Sequence, residues 1–234
     1  MSSRKTAIAF ATLLGLTAVG SAHAGTVTGN LTVTSDYLFR GITQTGEDPA
    51  LQGTIEYAAD SGLYIGGFGS SISWLSDADP DISSSVEFDV YGGYRGALGD
   101  SGVKYDLGAI YYAYPGDFPS GFNSADTTEL YAGLSYGLFS AKYFYSVSDL
   151  FGIADSNGSS ALEVAGNWEF VPTWTLNGAA GKQWVENLGS ADYGYWRVGV
   201  TKAFADGFSV AAAYNDEDLL GPDETYTLTV SKSF

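Results

Sequence analysis

The chain has no cysteine, a single histidine (His23) and a single methionine (Met1) in 234 residues. Without cysteine no disulfide supports the fold, and no thiolate is available as nucleophile or metal ligand. Positive charge is also scarce: 10 Lys and Arg stand against 27 Asp and Glu, for a net charge of −17. Binding a phosphate backbone takes Lys and Arg, so nucleic acid is excluded as a partner. A basic patch for docking onto anionic head groups is excluded on the same ground. Beyond the amino-terminal segment no apolar run approaches the ~20 residues of a spanning helix, which excludes a helical membrane protein.

The amino end reads as a secretory signal peptide over residues 1–24. Arg4 and Lys5 form its charged start, Thr6 to Val19 its apolar and small stretch, and Ala22-His23-Ala24 its cleavage site. Cleavage before Gly25 removes the only histidine and methionine and takes the net charge from −17 to −19. No imidazole then remains for catalysis or metal binding. Residues 25–234 are expected to form one domain, exported and free of cofactors and metals.

Abundant glycine (31), tyrosine (17) and phenylalanine (13) point to strands joined by tight turns. Apolar and polar residues alternate with period two along the chain. The first strand is expected from Val27 to Arg40, with Leu31, Val33, Tyr37 and Phe39 opposite Thr32, Thr34, Asp36 and Arg40. Twelve strands follow from the pattern, the third (Leu63 to Leu75) ambiguous about its outward face because of Gly66-Gly67-Phe68-Gly69. Six longer loops, near 41–49, 76–84, 115–126, 149–158, 185–192 and 216–223, alternate with five mostly shorter turns, and all six prolines fall in connections. An even strand count with long loops at one rim describes an all-β, twelve-stranded antiparallel transmembrane β-barrel of the outer-membrane kind. Aromatics near strand ends (Tyr37, Phe39, Trp74, Tyr94, Tyr111, Tyr136, Phe139, Phe170, Trp174, Phe204, Phe208 and Phe234) are expected to form the interfacial girdles. A secreted soluble β-barrel would alternate in the same way, and remains a third reading.

The last strand, TYTLTVSKSF, sets Tyr226, Leu228, Val230 and Phe234 on one face and small hydroxylic residues on the other. It resembles the terminal strand by which assembly machinery recognises outer-membrane barrels, so these four residues are the expected assembly signal. Near the start, Ser35-Asp36-Tyr37-Leu38-Phe39-Arg40-Gly41-Ile42-Thr43-Gln44 followed by Pro49-Ala50-Leu51-Gln52-Gly53 resembles the TorF family of porin-like proteins. The resemblance implies an outer-membrane barrel with a pore, and brings no catalytic residues and no known solute.

With the apolar face towards lipid, Asp36, Arg40, Gln52, Glu56, Glu87, Asp89, Arg95, Lys104, Asp106, Glu129, Lys142, Glu163, Glu169 and Arg197 are the expected pore-lining set. Opposed charges inside a small barrel can line a water path or pair across it and plug it, and Arg40, next to Asp36 on one strand face, is the expected member of such a pair. Paired carboxylates such as Glu87 and Asp89 are read as solvated rather than as an acid–base couple. Asp77-Ala78-Asp79-Pro80-Asp81 and the acidic stretch from Asp216 lack the turn glycine and distal glutamate of a loop calcium site. No nucleophile motif or phosphate loop is present. The expectation is a non-enzymatic channel for passive diffusion of small solutes or ions, embedded in a lipid bilayer and cation-preferring from its acidic excess. The alternative is a closed structural barrel whose acidic loops meet partners.

Overall fold

The structure, a computed structural model, describes residues 25–219 and 224–234, so the expected signal peptide lies outside the described residues. The chain opens with β1 (Thr26–Thr34), a short pair β2 (Leu38–Phe39) and β3 (Ile42–Thr43), then β4 (Ala50–Ala58) and β5 (Leu63–Ser71). A one-turn helix α1 (Trp74–Ala78) precedes β6 (Val86–Ala97), β7 (Lys104–Ala113), β8 (Thr127–Tyr136) and β9 (Phe139–Ser146). Then come β10 (Ser160–Val171), β11 (Trp174–Trp184), β12 (Tyr193–Ala203), β13 (Phe208–Glu217) and β14 (Thr225–Ser233). All but β2 and β3 form one closed antiparallel barrel of twelve strands.

The barrel is inside out relative to a soluble core. Leu51 and Ile55 on its outer face are 64% and 58% exposed, whereas Glu129 inside is 0% exposed. Period-two alternation produces this directly, since successive side chains leave opposite faces of the sheet. The ambiguity of the third strand resolves the same way: Leu63 and Ile65 face out, and Tyr64, Phe68 and Ser70 are buried inside.

Closure joins β14 to β1 in register from Asn30↔Ser233 to Thr34↔Thr229. Side chains on the inner face reinforce it: Asn30 Nδ2 donates to Ser233 Oγ (3.1 Å), and hydroxyl pairs join Thr32 to Ser231 (2.9 Å) and Thr34 to Thr229 (3.0 Å). At the short-turn end of the seam, Gly29 and Phe234 exchange backbone hydrogen bonds of 2.9 and 3.0 Å. The Phe234 ring lies over Gly29, where any Cβ would collide with it. The ring covers the backbone that glycine leaves bare, and a side chain at that position would displace it.

The first strand is shorter than its alternation predicts. It ends at Thr34 rather than Arg40. Ser35 is held by β14, its N–H donating to Leu228 O (2.9 Å) and its hydroxyl accepting from Leu228 N (3.0 Å). The chain then turns into the barrel. Tyr37, Phe39 and Trp74 consequently pack in the interior rather than in a girdle. The other girdle aromatics, from Tyr94 to Phe234, are exposed on the outer surface. Ile72, Leu75, Ile82 and Tyr114 join the inward aromatics in a core under the long loops.

Candidate functional site

Residues 35–49 fold into the lumen as a hairpin. Leu38 pairs with Thr43 and Phe39 with Ile42, and Gln44 N donates to Tyr37 O at 2.7 Å. The two central residues, Arg40 and Gly41, have φ of 47° and 87°, the left-handed backbone of a two-residue I′-type turn. Such a backbone costs a residue with a Cβ roughly 1–2 kcal/mol, so an arginine there needs compensation from its side chain.

That compensation is at the tip. Arg40 Nη1 and Nη2 donate to the two Glu129 carboxylate oxygens at 2.9 and 2.7 Å, and Nη1 also to Gln183 Oε1 at 2.8 Å. Tyr112 Oη donates to the same Glu129 at 3.0 Å. The guanidinium lies over Phe39 and Phe144, 4.8 and 4.6 Å from the ring centroids. Burial opposes the Arg40 charge, and the adjoining Glu129 carboxylate more than offsets it, holding the pKa above the ordinary arginine value. Gly41 packs against Tyr195 and Glu217, where a Cβ would stand 2.7 Å from Tyr195 Cβ. The tip therefore touches β8, β11, β12 and β13, and the hairpin bridges the lumen from its root on β1.

At the hairpin's base, Asp36 Oδ1 accepts from the Thr43 hydroxyl (2.6 Å) and the Thr45 hydroxyl (3.0 Å). The Arg40 ion pair is with Glu129, and none joins Arg40 to Asp36. Those residues would share a face only if the strand continued, and the turn sends them to opposite ends of a hairpin instead. Tyr37 Oη donates to Glu87 Oε1 at 3.3 Å; burial first, then the Glu87 charge, pushes the phenol's pKa up. Glu87 and Asp89 are 1% and 2% exposed, so they lie off the aqueous lumen rather than solvated in it.

A second charged network lies nearer the short-turn end. Arg95 donates to both Glu56 oxygens at 2.6 and 3.0 Å, and its Nε is 3.8 Å from Asp106 Oδ2. Lys142 Nζ donates to the same Asp106 oxygen at 2.8 Å. Tyr64 Oη bridges Asp106 and Tyr131, and its ring lies 3.6 Å beneath the Arg95 guanidinium.

Between the hairpin and the short turns lies a cavity of ≈ 320 Å³. Of the expected set, Asp36, Arg40, Gln52, Lys104, Asp106, Lys142, Glu163 and Arg197 line it. Glu56, Glu87, Asp89, Arg95 and Glu129 are packed in the charged networks rather than along this cavity. Glu169 is exposed at the short-turn rim, where it accepts the Thr173 N–H at 2.9 Å. The expected set holds eight acids and five cations, whereas its cavity-lining members are three acids and four cations. Gln183 and the inward aromatics were outside that set. Tyr131 and Phe144 do stand on the polar face of their strands, a signal that aromatic side chains share the lumen with charge.

A family model described as "Bacterial protein of unknown function (Gcw_chp)" matches residues 18–234, and the chain belongs to that family. Among solved structures it is similar to the KdgM porin, at 11% identity and a TM-score of 0.57, covering 88% of this chain and 99% of that one. It is likewise similar to the COG4313 outer membrane channel from Pseudomonas putida F1, at 13% identity and a TM-score of 0.55, covering 92% and 97%. The NanC porin matches at 9% identity and a TM-score of 0.55, covering 89% and 99%. These likenesses are likenesses of fold. No curated protein matches in sequence.

Proposed function

We propose that this Gcw_chp-family chain, like the TorF family it resembles, is a non-enzymatic, porin-like channel of the bacterial outer membrane for passive diffusion of small solutes. In that reading residues 1–24 are its cleaved signal peptide, residues 25–234 its barrel, and Tyr226, Leu228, Val230 and Phe234 its assembly signal. The observation that carries the proposal is the cavity inside an inside-out barrel, lined by charged and hydroxylic residues among others and bounded by a hairpin that Arg40 anchors to Glu129. The long loops then face outward from the cell and the short turns face the periplasm.

Cation preference, expected from the total acidic excess, has weaker support at the cavity itself. There acids and cations are nearly balanced, and Arg40 and Lys142 are already bound to carboxylates. Pairs of opposite sign within hydrogen-bond distance cancel each other's field over a few ångströms. Selectivity should accordingly be slight, and a reversal potential in a salt gradient measures it.

One observation favours the alternative of a closed barrel: the hairpin spans the lumen and aromatic packing fills the space under the long loops. Planar-bilayer recording of the refolded mature chain and of Glu129→Gln separates the two. Steps in the wild type support the channel. Steps only in the variant identify the hairpin as a gate, and silence from both, in folded protein, leaves the closed structural barrel.

A further inference from the structure

We infer that Glu87 and Asp89 share a proton, and that this proton holds the lumen hairpin in place at acid pH and releases it when lost at alkaline pH. The two residues stand two apart on β6 and face inward together, 1% and 2% exposed. Their carboxyl groups lie within hydrogen-bonding reach of each other. Glu87 Oε1 accepts the Tyr37 hydroxyl at 3.3 Å, whereas Glu87 Oε2 and both Asp89 oxygens are buried with no donor. Among the described residues no lysine or arginine forms an ion pair with either acid, and Arg40, the cation on the hairpin, is bound to Glu129. Two buried carboxylates in contact without a counter-charge cannot both ionise. One hydrogen between them removes a charge and supplies a donor where the orphaned oxygens have none.

What surrounds the pair decides what its proton controls. On β5, Ser70 stands opposite Glu87 and Phe68 opposite Asp89, and neither carries a charge. From β7, Tyr112 stands opposite Asp89, and Tyr114, just beyond the strand, faces both acids. Glu129 of β8 adds a like charge towards Asp89. Phe68, Ser70, Tyr112 and Glu129 belong to strands fixed in the closed ladder, and Tyr114 is tied by its N–H to Asp126 Oδ1 at 2.9 Å. Tyr37 instead sits at the base of the hairpin, whose β2 and β3 pair only with each other. Loss of the proton puts two charges in contact out of water, and hydration reaches them most readily by lifting Tyr37 and the hairpin with it. A proton bound tightly only in the closed arrangement stabilises that arrangement at low pH, and the stabilisation is lost as pH rises.

Two readouts on the refolded mature chain test this without recourse to conductance, with heat-modifiable migration verifying the fold of every variant. Infrared difference spectra at neutral pH should show a protonated-carboxyl C=O band in the wild type that Asp89→Asn lacks. A spin label on Ile42→Cys, in a chain with no cysteine of its own, reports the hairpin. Its mobile fraction should grow from about pH 5, above the ordinary carboxylate range, to about pH 9. For one proton the mobile-to-immobile ratio should rise by up to about tenfold per pH unit. Asp89→Asn and Glu87→Gln each keep a bridging hydrogen that cannot be titrated away, so in both the label should stay immobile throughout. Absence of the acid band in folded wild type overturns the inference, because the pair is then fully ionised. A label whose mobility ignores pH while the band titrates also overturns it, as does wild-type pH dependence in either amide variant that folds.

Discussion

The two sides of the lumen solve the problem of a polar interior differently. Along β6 to β9, large charged and aromatic side chains interlock: Arg95, Asp106, Glu129, Lys142, Tyr112 and Tyr131 each meet at least one specific partner. Along β1 and β14 the inner face is short and hydroxylic, with Thr32 and Thr34 meeting Ser231 and Thr229 across the seam through neutral hydrogen bonds. The first side is a lock, since a buried ion pair deprived of one partner leaves an uncompensated charge. The second is a lining, where each neutral contact contributes little and leaves capacity for water or a guest. The hairpin is rooted on the lining and latched to the lock, so the two sides differ in energetics as well as in composition.

The largest effect should follow from breaking the latch. Arg40 and Glu129 are 7% and 0% exposed and joined by two hydrogen bonds. Glu129→Ala strands the arginine, a loss of about 3–5 kcal/mol if the hairpin stays in place. The chain has an escape that a closed core lacks: it can swing the hairpin into the aqueous lumen and hydrate Arg40. We therefore expect larger single-channel conductance together with accelerated proteolysis within residues 35–49. Wild-type conductance and protease resistance in the variant would show that the latch does not hold the hairpin.

A smaller effect should come from the turn itself. Gly41→Ala puts a Cβ on a residue at φ 87° and 2.7 Å from Tyr195 Cβ. The backbone contribution alone is roughly 1–2 kcal/mol. Because the latch remains intact, the hairpin should flicker rather than leave. Current records should show shortened closed dwell times, intermediate between wild type and Glu129→Ala. An effect as large as that of the latch variant would move the anchor from the arginine to the turn.

The outer face of this molecule was legible in its sequence and the inner face was not fully so. Alternation marks Leu51, Ile55, Leu228 and Val230 as outward without any knowledge of the fold, because period two needs only local geometry. The same rule fails after Thr34. Asp36, Tyr37, Phe39 and Arg40 continue the alternation, yet the strand has ended. What ends it is a contact 89 residues away, between Arg40 and Glu129, which no local pattern contains. One local sign was available: Arg40-Gly41 between two apolar-rich pairs is a two-residue turn with glycine at its second position. Which inward charge meets which was also hidden. Asp106 meets Lys142 across 36 residues and Arg95 meets Glu56 across 39, partners set by the stagger of the closed barrel rather than by spacing.

The smallest effect should lie on the hydroxylic side, at the seam. Thr32 and Ser231 are a directly opposed pair on β1 and β14, their hydroxyls 2.9 Å apart. Thr32→Val keeps shape and strand propensity and removes the hydroxyl, and Ser231→Ala removes its partner. Cross-strand pairs of this kind contribute about 0.2–1 kcal/mol, so the double-mutant cycle should return a coupling in that range, read from urea unfolding in lipid vesicles. Thr32 also donates to Asn30 Oδ1 at 2.5 Å, so the single Thr32→Val variant should cost somewhat more than Ser231→Ala. A coupling of several kcal/mol would place a second lock at the barrel's closure, and the contrast between the two walls would fail. A coupling within the expected range leaves the seam as a lining whose hydroxyls are available to whatever passes.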